Sequence, residues 1–282
     1  MRLTSTSTQR TYRYVRIGII GAVVVLAVTL TLVFVFEGPQ PSISAVYYTD
    51  GRTVFTGVLF AVALGLLTLA GHSVEQILLG IAALYAPIIA IVPTPHRGPD
   101  LPNAGISCPG LPGCVPDIGP ERIGILTVVI AGALGIAAAA IITRRERTLT
   151  PGTVAGLVAC AATVIGVLVW LLVGPASLLA LGHLVAAGIF FMLMTAVAVI
   201  SAVVAAPRWR VVYAIVAIGM AAALVLLGFG FTAAGGPPLV LIGEAVLIVL
   251  FGAFWIAQTV QKWNEVDPAL LPAGGIPHPA SR

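Results

Sequence analysis

The chain has 282 residues, of which 59% are hydrophobic and only 9% are Asp, Glu, Lys or Arg, with a formal net charge of +4. A water-soluble domain carries roughly a quarter charged residues on average, so this balance excludes an ordinary soluble enzyme and points to the bilayer. A helix crossing about 30 Å of hydrocarbon needs about 20 mostly apolar residues, because each residue rises about 1.5 Å and lipid satisfies no exposed backbone group.

The first sixteen residues are rich in Ser and Thr and carry Arg2, Arg10, Arg13 and Arg16; they read as a mobile basic segment (1–16). An uncharged run from Ile17 to Phe36 follows. It is longer than the apolar stretch of a signal peptide, and Glu37-Gly38-Pro39 stands where a small-x-small cleavage site belongs, so an uncleaved signal anchor is expected. Further apolar runs are Thr53 to Ala70, Ile77 to Val92, Ile123 to Ile142, Thr153 to Val173, His183 to Ala205, Val211 to Phe231 and Leu239 to Val260. They are continuous and rich in Ala, Leu and Val, whereas barrel strands alternate apolar and polar residues, so helices are predicted. The fold class is all-α: a polytopic transmembrane bundle of about eight helices over residues 17–262. Ile77 to Val92 is short and contains Pro87, which leaves a kinked or re-entrant segment as the alternative. Residues 263–282, rich in Pro, Gly and Ala, are expected to form a disordered tail.

Charge sets the orientation, since cytoplasmic loops retain an excess of Lys and Arg. With eight crossings and a cytoplasmic N-terminus, Arg2, Arg10, Arg13, Arg16, Arg144, Arg145, Arg147, Arg208, Arg210, Lys262 and Arg282 lie inside, and only Arg52, Arg97 and Arg122 lie outside. The expected location is the plasma membrane with both termini cytoplasmic. Basicity then reports topology, and no nucleic-acid partner is needed to explain it.

Two external segments result, Glu37 to Arg52 and Pro93 to Glu121. The second holds Cys108-Pro109-Gly110-Leu111-Pro112-Gly113-Cys114. Export to an oxidising compartment and the intervening Pro-Gly turns favour a Cys108–Cys114 disulfide, with two free thiols as the alternative. Two sulfurs with only His96 nearby fall short of the four ligands of a structural zinc site. Gly132, Gly135, Gly152 and Gly156 suit close helix packing within the monomer or, as the alternative, dimerisation. Cys160 reads as a small buried apolar residue.

No Gly-rich phosphate loop, His-Glu-x-x-His, Cys-x-x-Cys or Gly-x-Ser-x-Gly pattern occurs, so neither a cofactor nor a metal is predicted. Attention passes to polar residues at membrane depth, where a charge costs about 2.5–3.5 kcal/mol. His183 at the external end of the sixth run and Glu244 near the external end of the eighth stand at comparable depth. Arg52, Thr53 and Thr56 begin the second run on that side, preceded by Ser42, Ser44, Tyr47, Tyr48 and Asp50. An outward polar cavity is the expectation, with Arg52, His183, Glu244, Ser44, Tyr48 and Asp50 as its ligand-binding candidates and a cation neutralising Glu244. The alternative is a merely paired or snorkelling Glu244 with interfacial tyrosines. On the inner side, His72, Ser73, Glu75 and Gln76 read as a solvated turn, and Arg208-Trp209-Arg210 as an interfacial anchor.

At Ser42-Ile43-Ser44-Ala45-Val46-Tyr47-Tyr48-Thr49, with Arg52, Val54-Phe55-Thr56-Gly57, Ala86-Pro87, Pro93-Thr94, His183-Leu184-Val185-Ala186-Ala187 and Phe190-Phe191, the sequence resembles a group of actinobacterial multi-pass membrane proteins whose motifs carry no assigned chemistry. It is more distantly similar to the CREST superfamily, which includes alkaline ceramidases. That resemblance implies about seven spans and hydrolysis by a Ser, an Asp and three zinc-holding His, two of them as His-x-x-x-His; the chain's four His include no such pair.

The leading expectation is a non-enzymatic accessory or structural membrane protein engaging membrane lipids, or a partner membrane protein, through the outer cavity. A transporter component using Glu244 and His183 is the first competitor. An intramembrane hydrolase drawing on Ser44, Asp50, His183 and Glu244 is the second.

Overall fold

Continuous apolar runs with short polar breaks fold as antiparallel helices, because a helix alone closes its own backbone hydrogen bonds in lipid. A computed structural model of the chain describes residues 7–92, 94, 119–230 and 236–264. It contains α1 (Ser7–Phe36), a 3-10 turn (Ser44–Tyr48), α2 (Arg52–Thr68), α3 (Val74–Ile91), α4 (Gly119–Arg145), α5 (Pro151–Val173), α6 (Pro175–Val204), α7 (Pro207–Gly230) and α8 (Gly236–Gln261), with no strand among the described residues. Seven of these helices are long and apolar enough to cross a membrane. The shorter one is α2, whose 17 residues span about 25 Å. This is an integral membrane helix bundle.

Six helices close a ring in the order α1, α2, α3, α6, α7, α8, with α8 returning to α1, while α4 and α5 pair outside it against α3 and α5 also touches α6. Gly51 faces Thr29 and Val33, and Gly65 faces Ile19, so α2 runs antiparallel to α1. The first and last helices end together: Arg13 Nε donates to the Trp263 carbonyl at 2.6 Å, and its guanidinium lies 4.8 Å from the centre of that indole ring. We call this the basic end and its opposite the far end.

The run Ile77 to Val92 is a helix as expected, while two expectations, the start of the sixth span and the mobility of residues 1–16, are revised. The helix α3 persists through Pro87, started by a reciprocal cap in which Ser73 Oγ accepts from Gln76 N–H and Gln76 Oε1 accepts from Ser73 N–H, each at 3.2 Å. The sixth span begins at Pro175 rather than His183, because proline at the first helical turn forfeits only an N–H that has no partner there and presets φ. His183 therefore lies eight residues inside α6, about 12 Å from its start. Finally, α1 begins at Ser7, so residues 7–16 are helical. Residues 1–6 and the tail 265–282 lie outside the described residues.

Inside the ring, Tyr213, Phe254, Trp255, Met194, Met220 and Leu66 are fully buried. Phe251, Phe254 and Trp255 meet edge to face or tilted, joined by Phe190 and Tyr213 at centroid distances of 5.3–6.2 Å. Small residues set the outer contacts: a Cβ at Gly156 would lie 2.7 Å from Ile77 Cγ2 of α3, and one at Gly132 3.0 Å from Val164 of α5. Both are contacts within the monomer; a Cβ at Gly135 meets open space.

Gly156→Leu should overpack the α3–α5 contact and cost about 1–3 kcal/mol. Thermal unfolding in detergent would read this as a lowered midpoint, with partial recovery on adding Ile77→Ala.

Candidate functional site

After α1, prolines 39 and 41 turn the chain back over the far end, and Ser42, Ile43, Ser44, Ala45, Val46, Tyr47 and Thr49 are buried there. A buried loop needs partners for its backbone. Glu244, eight residues into α8, supplies them. One carboxylate oxygen accepts from the Ile43 N–H and, at 3.4 Å, from the Ser44 N–H; the other accepts from Ser44 Oγ–H at 3.0 Å. Ser44 Oγ in turn accepts from Thr94 Oγ1–H at 2.7 Å and stands 3.1 Å from Ser42 Oγ. Tyr48 Oη–H donates to the Thr94 carbonyl at 2.8 Å. The carboxylate thus latches the α1–α2 connection onto α8, and the hydroxyl chain carries that latch to the segment after α3.

His183 serves a neighbouring joint. It is 5% exposed, and its Nδ1–H donates to the Val92 carbonyl at 2.8 Å. The last carbonyls of α3 have no following turn to bond them, and residue 93, a proline, has no N–H to offer, so the imidazole takes that role.

Arg52 is exposed, donates to the Tyr47 hydroxyl and lies 4.0 Å from the centre of that ring. Asp50 is exposed, and its backbone N–H donates to Glu37 at 3.2 Å. Burial pushes the Tyr47 phenol above its ordinary range, and the Tyr48 phenol likewise. Ser44, Tyr48 and Glu244 are therefore joined in one network, His183 stands at its own joint, and Arg52 and Asp50 lie apart. The expected cation beside Glu244 is replaced: neither Arg52 nor His183 bonds to it, because two backbone N–H groups and a hydroxyl already surround the carboxylate.

Two further features were not anticipated in this form. At the basic end, Glu75 accepts from Lys262 Nζ at 3.1 and 3.3 Å and from Gln258 Nε2 at 2.8 Å, and Gln258 also reaches Ser201 Oγ at 3.3 Å. A cavity of about 40 Å³ adjoins them, lined also by Tyr12, Arg16 and Trp255. The signal was present in the sequence as a lone lysine one turn beyond a glutamine in an apolar helix. Glu75, instead of sitting in a solvated turn, is paired across to the end of α8, because α3 begins where α8 ends.

The second feature is a groove of about 970 Å³ between α5 and α6, lined by Tyr85, Thr163, Gly166, Trp170, Ser177 and Ile189 among others. Its polar atoms are paired with each other: Tyr85 Oη with Thr163 Oγ1 at 3.1 Å, and Trp170 Nε1–H to Ser177 Oγ at 2.8 Å. A helix junction of one residue, Gly174, joins α5 to α6 at the far end.

Cys108, Cys114 and His96 lie outside the described residues. Cys160 is a half-buried free thiol. Among the described residues no three His, Cys, Asp or Glu side chains converge as metal ligands.

Replacing Glu244 tests the latch. Glu244→Gln keeps one acceptor oxygen and should cost about 1–2 kcal/mol, whereas Glu244→Leu strands the Ile43 and Ser44 donors and should cost more, with faster proteolysis of residues 37–51. Equal midpoints for the two variants would show that the carboxylate does not hold the loop.

No family model, curated protein sequence or solved structure matches the chain.

Proposed function

We propose that this integral membrane protein is a non-enzymatic accessory component that holds a lipid chain in the groove between α5 and α6. The observation that carries this reading is the groove itself: about 970 Å³, lined mainly by apolar side chains, at the upper end of small-molecule sites. Ile165, Val169, Val173 and Val185 around it are 40–82% exposed in the monomer and so face the surrounding hydrocarbon. A chain entering from the bilayer exchanges one apolar contact for another while gaining the fixed walls of two helices, and the Trp170–Ser177 pair marks a polar limit at the far end.

Transport through the ring is a poorer reading. Glu244 and Glu75 belong to networks at opposite ends, and between them the interior is packed with Phe251, Phe254, Trp255 and Tyr213. The far-end polar residues act in this reading as a clasp over the bundle. The excess of basic residues at the end shared by the termini supports a cytoplasmic placement of that end.

The test uses the full chain purified in mild detergent with its native lipid, quantified after extraction. A Cβ at Gly166 meets no atom within 4 Å, so Gly166→Leu fills the groove without displacing protein. Excluding two methylenes of a lipid chain is worth about 1.6 kcal/mol, so retention should fall roughly tenfold at an unchanged unfolding midpoint. Undiminished retention would overturn the proposal. For orientation, cysteines introduced after Ile142 and after Ala205 should be labelled only once the membrane is permeabilised; labelling of intact cells at either site would reverse or break the assigned topology.

A further inference from the structure

We propose that the cavity at the basic end binds a phosphate group, with Trp255 Nε1–H, Lys262 and Arg16 as its donors. The site is separate from the lipid groove and independent of it. Three helices build it: Tyr12 and Arg16 come from α1, Ser73, Glu75 and Gln76 from the start of α3, and Trp255, Gln258 and Lys262 from the end of α8.

The indole is the first argument. Trp255 is 1% exposed, it lines this cavity, and its Nε1 has no hydrogen-bond partner. An indole N–H only donates, and a buried donor in a packed core is ordinarily paired, so the missing partner is an acceptor. The cavity has room for one: about 40 Å³, where a single water needs about 10–15 Å³. That space takes two or three waters, or the oxygens of a phosphate seated at its mouth.

Charge favours the phosphate. Among the described residues, the charged side chains lining the cavity are Arg16, Lys262 and Glu75, two cations and one carboxylate. Arg16 is itself only 7% exposed, so its charge is held in a poorly hydrated place. Glu75 already accepts from Lys262 and Gln258, and the Trp255 N–H is left without an acceptor. The start of α3 adds the positive end of a helix dipole beside the cations, and anions are stabilised at such ends. Position agrees as well: the cavity lies where α1 and α8 leave the membrane, next to the Arg13–Trp263 contact, at the depth of lipid headgroups. A phospholipid headgroup and free phosphate share this chemistry.

The experiment uses the full chain, delipidated in detergent and checked for an unchanged elution profile. Two probes distinguish the sources: dioleoyl phosphatidylglycerol against dioleoyl phosphatidylcholine, counted as bound adducts by native mass spectrometry, and inorganic phosphate, read as a rise in unfolding midpoint. Lys262→Gln should weaken binding of the effective probe about fivefold. Trp255→Phe, which keeps a ring and removes only the donor, should weaken it about tenfold. Arg16→Lys, which keeps the charge, serves where Arg16→Gln fails to fold, and should weaken binding less than Lys262→Gln. Arg208→Gln, at another basic helix end, should leave binding unchanged, as should the groove variant Gly166→Leu. Preference for phosphatidylglycerol assigns the site to a headgroup, and response to inorganic phosphate alone assigns it to the free ion. Binding of neither probe, or equal losses in Arg208→Gln and Lys262→Gln, would overturn the proposal.

Discussion

The absence of water is the constraint on which this structure depends. In hydrocarbon every polar atom that enters must bring its partner along or be closed by the protein, and the cost of failing to do so is several kcal/mol per group. Helices answer that demand for their own interiors. They leave it unanswered at their ends and in the connections between them, and that is where the polar residues of this chain have gathered. Glu244 closes the backbone of the α1–α2 connection, His183 closes the end of α3, and Ser73 with Gln76 closes its beginning.

Packing follows a second rule of the same medium. Lipid gives helices no hydrophobic reason to associate, so association rests on close contact and on the few hydrogen bonds that cross between them. The six-helix ring has both, with glycines against Ile19 and Leu250 and a polar tie at each end. The α4–α5 pair has less. It rests on α3 through Gly156 and leans on α6 along part of its length, and the groove opens where that contact gives out. A binding surface here is a consequence of uneven packing, placed at the joint between a sealed ring and a peripheral hairpin.

The two ends of the ring differ in kind. At the far end the Glu244 carboxylate accepts from uncharged donors of the same chain. At the basic end the carboxylate is outnumbered by cations, and a buried indole N–H remains without an acceptor. The aromatic packing between them separates the two environments, so each end can be altered without direct contact with the other. That separation also makes the Glu244 latch and the Trp255 cavity open to separate experiments.

By itself the sequence determined the class and much of the layout: helices rather than strands, a membrane rather than water, and the placement of most boundaries within a few residues. Those properties depend on the hydropathy of contiguous residues, which is local information. The start of α6 was misplaced because His183 looks like a boundary, and only the fold shows a buried imidazole serving a carbonyl 91 positions away. Depth was legible too, since Glu244 and His183 each lie eight residues into helices that start at the same end and run in the same direction. What the tertiary structure alone decided is which polar groups meet. Glu244 takes Ser44 from 200 residues away rather than Arg52 or His183, and Glu75 takes Lys262 from 187. Such pairings are set by the order of helices around the ring and by which face each turns inward, and a run of Ala, Leu and Val that is apolar all round records neither.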